Sequence, residues 1–185
     1  MAEHICPWWV GYFLISPIRR WLQDPAAIVQ PYVREGMTVL EPGPGMGFFT
    51  VELARQVGPE GRVVVVDVEP RMIAKLKQRL DKAGLRNRVD ARVAASDSMG
   101  LSDLRGQVDF TLAFFMVHEM PSASRFFAEA AEAMKPDATL LLAEPPGHVK
   151  KEKFDQELQA ATAAGFAAIG RPKIRRTQTA LLKKI

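Results

Sequence analysis

The chain has 185 residues, 48% of them hydrophobic and 25% charged, which suits one folded domain with a sizeable core and excludes a disordered or collagen-like chain. Its single cysteine, Cys6, excludes a disulfide scaffold and a thiolate-rich zinc module, and points to a reducing cytoplasm. The net charge of +4 is mild, Glu3 and His4 stand where a signal peptide would be basic, and the apolar stretch from Ile5 to Ile18 is too short to span a membrane.

The chain opens on a helix-like aromatic stretch, Trp8, Trp9, Tyr12, Phe13, Ile15, Ile18 and Trp21, with Arg19 and Arg20 at its end. Asp24-Pro25 then starts a short helix as N-cap and first-turn proline. Residues 1–35 therefore read as an N-terminal helical cap and 36–185 as the core of a single domain. From Met37 onward, short apolar runs alternate with longer amphipathic stretches, the pattern of a parallel sheet covered by helices. Met37 to Glu41 is the first predicted strand, Phe48 to Val57 the helix after it, and Arg62 to Val68 a second strand whose VVVV run suits burial on both faces.

Pro70 to Ala83 is a helix with proline in its first turn and Gly84 placed to end it. Val89 to Ala95 and Val108 to Phe115 are the third and fourth strands, and Ser122 to Met134 is an alanine-rich helix. A Lys135-Pro136-Asp137 turn leads into the fifth strand, Thr139 to Glu144. Lys150 to Ala164 is a helix stopped by Gly165, and Phe166 to Ile169 and Thr177 to Lys183 close the chain as two strands.

The strongest signal is Glu41-Pro42-Gly43-Pro44-Gly45-Met46-Gly47-Phe48, a glycine-rich turn between strand and helix, which lets backbone approach a ligand closely. In a dinucleotide-binding G-x-G-x-x-G turn the third glycine would fall at Phe48; the spacing here is G-x-G-x-G. With Glu41 before it, this turn resembles the first motif of the class I S-adenosylmethionine-dependent methyltransferases, and the resemblance runs from about Met37 to Ile185. It implies a Rossmann-like, doubly wound, seven-stranded α/β sheet, mostly parallel with an antiparallel C-terminal hairpin. It also implies that Glu41, Gly43, Pro44, Gly45 and Gly47 hold the methionyl part of S-adenosylmethionine, with S-adenosylhomocysteine as product and no metal. Asp67, ending the second strand, matches the acid that accepts hydrogen bonds from the ribose hydroxyls; Val68 would lie near the adenine. Ser96-Asp97-Ser98 matches the segment whose acid meets the adenine amino group, and Phe114 at the end of the fourth strand joins the cofactor set. The alternative is that the glycines make only a tight turn and Asp67 only caps a helix.

Methyl transfer is an in-line displacement, so the protein mainly aligns the acceptor and excludes water. After the fourth strand the chain reads Phe114-Phe115-Met116-Val117-His118-Glu119-Met120-Pro121. His118 suits a general base, with Glu119 to orient it or take the proton itself; the alternative is a cap for the following helix. Glu144-Pro145-Pro146-Gly147-His148 superficially resembles the N-P-P-Y motif of amino-methylating nucleic-acid enzymes, but it follows the wrong strand and begins with an acid in place of the amide. His148 is a candidate for the acceptor pocket, or for a structural turn.

Trp8, Trp9 and Tyr12 are candidates for a lid over the acceptor, with core packing or a peripheral membrane contact as alternatives. The short aromatic cap favours a small-molecule acceptor. Lys150, Lys151, Lys153, Arg171, Lys173, Arg175, Arg176, Lys183 and Lys184 would suit RNA or an acidic protein in the rival reading, or simply a solvated helix face and a protected edge hairpin. A third reading is a non-catalytic S-adenosylmethionine-binding protein.

Overall fold

The computed structural model describes residues 23–185, arranged as two compact units that divide after Ala94. The aromatic stretch with Cys6, Trp8, Trp9 and Tyr12 lies outside the described residues.

The first unit opens with helix α1 (Pro25–Val29), where the Asp24 carboxylate accepts the Ala26 N–H at 3.0 Å as the Asp-Pro pair predicts. Strands β1 (Thr38–Pro42), β2 (Arg62–Asp67) and β3 (Val89–Val93) pair in parallel, Val39 opposite Val63 and Val63 opposite Val89. Val63 to Val66 are all buried, as expected of a strand covered on both faces. Helix α2 (Thr50–Gln56) starts two residues later than its apolar pattern suggests, because Gly47 is in the left-handed region and the chain is still turning at Phe49. Helix α3 (Pro70–Ala83) has the bounds its sequence signals gave: Glu69 caps the Arg71 N–H, and Gly84 takes the left-handed φ of +67° that ends it. It buries Met72, Ile73, Leu76 and Leu80, one stripe at helical spacing.

In the second unit β4 (Val108–Phe114) pairs in parallel with β5 (Met134–Glu144), β5 pairs antiparallel with β7 (Gln178–Lys184), and β7 pairs antiparallel with β6 (Phe166–Gly170). Helix α4 (Ala123–Ala133) is capped by Ser122, and helix α5 (Lys151–Ala163) precedes β6. Buried phenylalanines 110, 126, 127, 154 and 166 fill this unit. The chain thus carries a seven-stranded mixed sheet, mostly parallel with antiparallel C-terminal strands.

One element corrects the sequence reading. The Lys135-Pro136-Asp137 turn lies inside β5 rather than before it, since Met134 already pairs with Val108 and pairing resumes only at Thr139 with Phe110. Pro136 has no N–H to give a ladder, and Asp137 takes a left-handed φ of +63° that a short polar side chain tolerates. Lys135 Nζ on Asp109 at 2.6 Å and Lys183 Nζ on Asp137 at 2.7 Å tie the detour to the strands on either side.

Candidate active site

In the first unit the glycine-rich turn leaves β1 with three residues at positive φ, Gly43 at +65°, Gly45 at +53° and Gly47 at +81°. L side chains resist this region, which is why the alternating glycines are needed. The Gly43 N–H donates to the Val66 carbonyl at 2.9 Å and the Gly47 N–H to that of Pro44, also at 2.9 Å, fixing the turn to β2 and to itself. A side chain at Gly47 would collide with Leu76, whereas one at Gly45 would meet no atom of the described residues within 4 Å. Gly47 therefore packs inward and Gly45 faces open space.

Asp67, at the end of β2, accepts the Glu69 N–H at 3.0 Å and is bonded to the backbone of Gly45 as well. Burial pushes its carboxyl up, while these backbone donors pull it back toward ionisation. Its neighbour Val68 is 41% exposed, an apolar side chain held in the open beside the acid. An open glycine face, a carboxylate with acceptor capacity and an uncovered valine fit a nucleoside carrying ribose hydroxyls and a planar base.

Glu41 lies beneath the turn, buried, with its Oε2 accepting from the Thr50 hydroxyl at 2.6 Å. Burial, partly offset by Thr50 and reinforced by the Asp67 charge, raises its pKa from 4.5 to about 7. Between those two values the folded chain holds a proton that the unfolded chain has released, so stability falls as pH rises. Glu41→Gln removes that penalty. Chemical unfolding at pH 5 and pH 8 should show the variant gaining about 2.5 kcal/mol on the wild type over that interval. An unchanged difference would mean that Glu41 ionises like an exposed acid.

In the second unit Ser96 is exposed and Asp97 is 70% exposed, its carboxylate 3.4 Å from Arg125. Ala95 and Ser98 form an isolated antiparallel bridge, and Glu129 accepts from the Ser98 hydroxyl at 3.2 Å and from the Met99 N–H at 2.7 Å. Ser98 therefore shapes the loop, and Asp97 faces solvent. Phe114 is buried with its ring 4.5 Å from that of Phe115. Phe115 itself has a φ of +60°, strain that a bulky residue adopts only when its surroundings enforce it; its N–H is held by the Ala143 carbonyl at 2.8 Å.

His118 follows in a 3₁₀ turn, Val117–Glu119. Its Nδ1 lies 2.5 Å from Glu144 Oε2, and Glu144 Oε1 accepts the N–H groups of Val117 at 2.9 Å and His118 at 3.3 Å. The buried carboxylate thus fixes both the imidazole and the backbone that carries it. An ionised carboxylate can only accept, so Nδ1 bears the proton and Nε2 of the neutral ring is the basic atom. Burial alone would lower the His118 pKa; the Glu144 hydrogen bond and charge, with the charges of Glu119 and Glu157, outweigh it and leave the pKa raised. Glu119, the predicted orienting acid, is 41% exposed with Oε1 at 3.9 Å from Nε2. The orienting position belongs to Glu144 because a strand end delivers it rigidly, while Glu119 leaves the turn toward solvent.

His148 is exposed and sets its ring edge-on to that of His118, centroids 6.3 Å apart. No group of three or more His, Cys, Asp or Glu side chains among the described residues is arranged to hold a metal ion, and no described helix is long and apolar enough to cross a membrane.

A family model described as a methyltransferase domain matches residues 39–137, more than half of the chain. The chain belongs to this methyltransferase domain family. A crystal structure of an S-adenosylmethionine-dependent methyltransferase from Aquifex aeolicus superposes with a TM-score of 0.85, at 25% identity, covering 97% of this chain and 98% of that one. An arsenite methyltransferase from Halobacterium salinarum is 28% identical over 59% of this chain and 27% of its own length. A ubiquinone/menaquinone biosynthesis C-methyltransferase from Marinomonas sp. is 27% identical over 70% of this chain and 52% of its own. The methyltransferase domain described here thus spans roughly a quarter to a half of these curated relatives.

Two residues of this methyltransferase escaped sequence reasoning. Glu144 draws notice in the sequence only for failing the N-P-P-Y pattern, although an acid after the buried run Leu140 to Ala143 parallels Glu41 near the end of β1. Glu157 belongs to no motif, yet it is buried on α5 with Phe154 and Ala161. Their spacing of three and four residues is the signal that it faces inward.

Proposed function

We propose that this methyltransferase moves the methyl group of S-adenosylmethionine onto a small-molecule acceptor that gives up a proton to His118 Nε2. The carrying observation is the double hold of buried Glu144 on the His118 ring and on the turn beneath it, an expensive arrangement that a mere helix cap does not require. When bound, the cofactor supplies an electrophilic methyl group on a sulfonium. On the chain's side, the Gly43, Pro44, Gly45 and Gly47 backbone takes the methionyl part, with Glu41 bracing the turn. Asp67 takes the ribose hydroxyls and Val68 covers the base. His148 lies on the acceptor side.

A general base matters for an acceptor with a hydroxyl or an acidic C–H, and the C-methyltransferase among the relatives supports that class. We place the protein in the cytoplasm and treat both units as one domain, a reading supported by a family match that runs across both. Several C-terminal cations are engaged within the fold, Lys183 with Asp137 and Lys184 with the Met134 carbonyl, which favours the small-molecule reading over an RNA one.

Incubation with methyl-labelled cofactor and fractionated metabolites, RNA and protein, run side by side, tests the proposal. Label in the metabolite fraction supports it, label in RNA or protein redirects it, and binding without transfer reduces the protein to a cofactor carrier. The neutral imidazole is the active form and its pKa is raised, so kcat/KM should be full at alkaline pH and decline as pH falls through a midpoint above 6.5. A pH–rate profile still flat below that value would remove His118 from the chemistry.

A further inference from the structure

Behind the His118–Glu144 dyad lies a second buried carboxylate. Glu157 on α5 is 1% exposed, and no hydrogen-bond donor among the described residues reaches either of its oxygens. A carboxylate left without donors in the interior cannot stay charged at modest cost, so it keeps a proton or acquires a positive neighbour. Its electrostatic neighbours come from three elements: Glu144 at the end of β5, His118 in the turn after β4, and Lys153 one turn back on α5. Glu119 bears on His118 from the same turn, and His148 packs edge-on against it.

We propose that Glu157 is a positioning residue for the dyad, an acid that releases its proton when His118 gains one and so sets the pH range in which the imidazole is free. The proposal deepens the reading of His118 as general base and rests on it for its catalytic meaning. With His118 neutral, Glu144 ionised and Glu157 protonated, the three groups carry one negative charge. When Nε2 takes a proton, the imidazolium favours loss of the Glu157 proton to solvent, and the cluster again carries one negative charge. One proton enters and one leaves, so the interior never has to accommodate a change in charge. Burial, reinforced by repulsion from the Glu144 carboxylate, raises the Glu157 pKa to about 7, into the range where His118 itself titrates.

Two groups coupled in this way titrate in two overlapping steps that belong to the pair. The experiment is NMR titration of the full chain, following the His118 ring and the ¹³C-labelled side-chain carboxyl of Glu157, with Glu157→Gln alongside. In the wild type the Glu157 carboxyl is expected to titrate near neutrality and the His118 curve to be broader than a one-proton transition. In Glu157→Gln the His118 curve should sharpen to a single step with its midpoint lower by about half a unit or more. The acid limb of kcat/KM should move the same way while KM is unchanged. A Glu157 carboxyl that titrates near 4.5, or a His118 curve unaltered by the substitution, overturns the proposal. The carboxyl measurement needs no variant, so a misfolded Glu157→Gln protein still leaves a decisive result. Neither NMR readout needs turnover, so coupled titration in a protein that transfers no methyl group would keep the cluster and discard only the catalytic reading.

Discussion

His118→Ala is expected to lower kcat about a hundredfold, general-base catalysis being worth roughly 10² to 10⁴ in rate. Affinity for S-adenosylmethionine, read by calorimetry, should stay within about threefold, since the lost group acts on the acceptor's proton. Glu144→Gln should cost a comparable factor. The amide oxygen can still accept the Val117 and His118 N–H groups, but the charge that holds the proton on Nδ1 is gone. The double variant should be little worse than either single one, because the two side chains work as a unit. Glu119→Gln is the control, with Oε1 at 3.9 Å and side chain toward solvent; its turnover should fall by less than about threefold. A loss at Glu119 equal to that at His118 would reverse the two glutamates' roles.

The second large effect is on cofactor binding. Gly45→Ala places a methyl group where no atom of the described residues lies within 4 Å, at a backbone φ of +53°. The strain should cost about 1 to 2 kcal/mol of stability, as for any alanine forced into the left-handed region. Gly106→Ala has the same cost built in, with φ +64° and equally open surroundings, but lies in the turn before β4. Both variants should therefore unfold at similar denaturant concentrations, while only Gly45→Ala loses S-adenosylmethionine affinity, by at least about tenfold, as expected where a ligand occupies the space. Equal affinities in the two variants would show that the open face of the turn is not where the cofactor lies.

Much of this molecule is legible in its sequence because the signals are local. The bounds of α3 follow from Pro70 and Gly84, the burial of β2 from its valine run, and the tight turn after β1 from glycines whose spacing encodes three positive φ angles. What is not legible depends on meetings between distant residues. His118 and Glu144 are 26 residues apart, and only the pairing of β4 with β5 brings them together; Glu119, adjacent in sequence, was the natural partner to expect. In the sequence the detour in β5 reads as a turn before the strand, because proline and aspartate do signal a turn. That Met134 pairs ahead of it is a property of the ladder, not of those residues.

The same detour has a consequence for how this protein tolerates change. Residues 135–138 leave the β4 ladder and rejoin it at Thr139, from which point β5 is gripped on both flanks up to Ala143. Slack in the chain is therefore taken up upstream, and lengthening this excursion by a residue or two should leave the alignment downstream of it untouched. A short peptide tag or fluorophore could be grafted there to report on the protein while the far end of the strand keeps its aim.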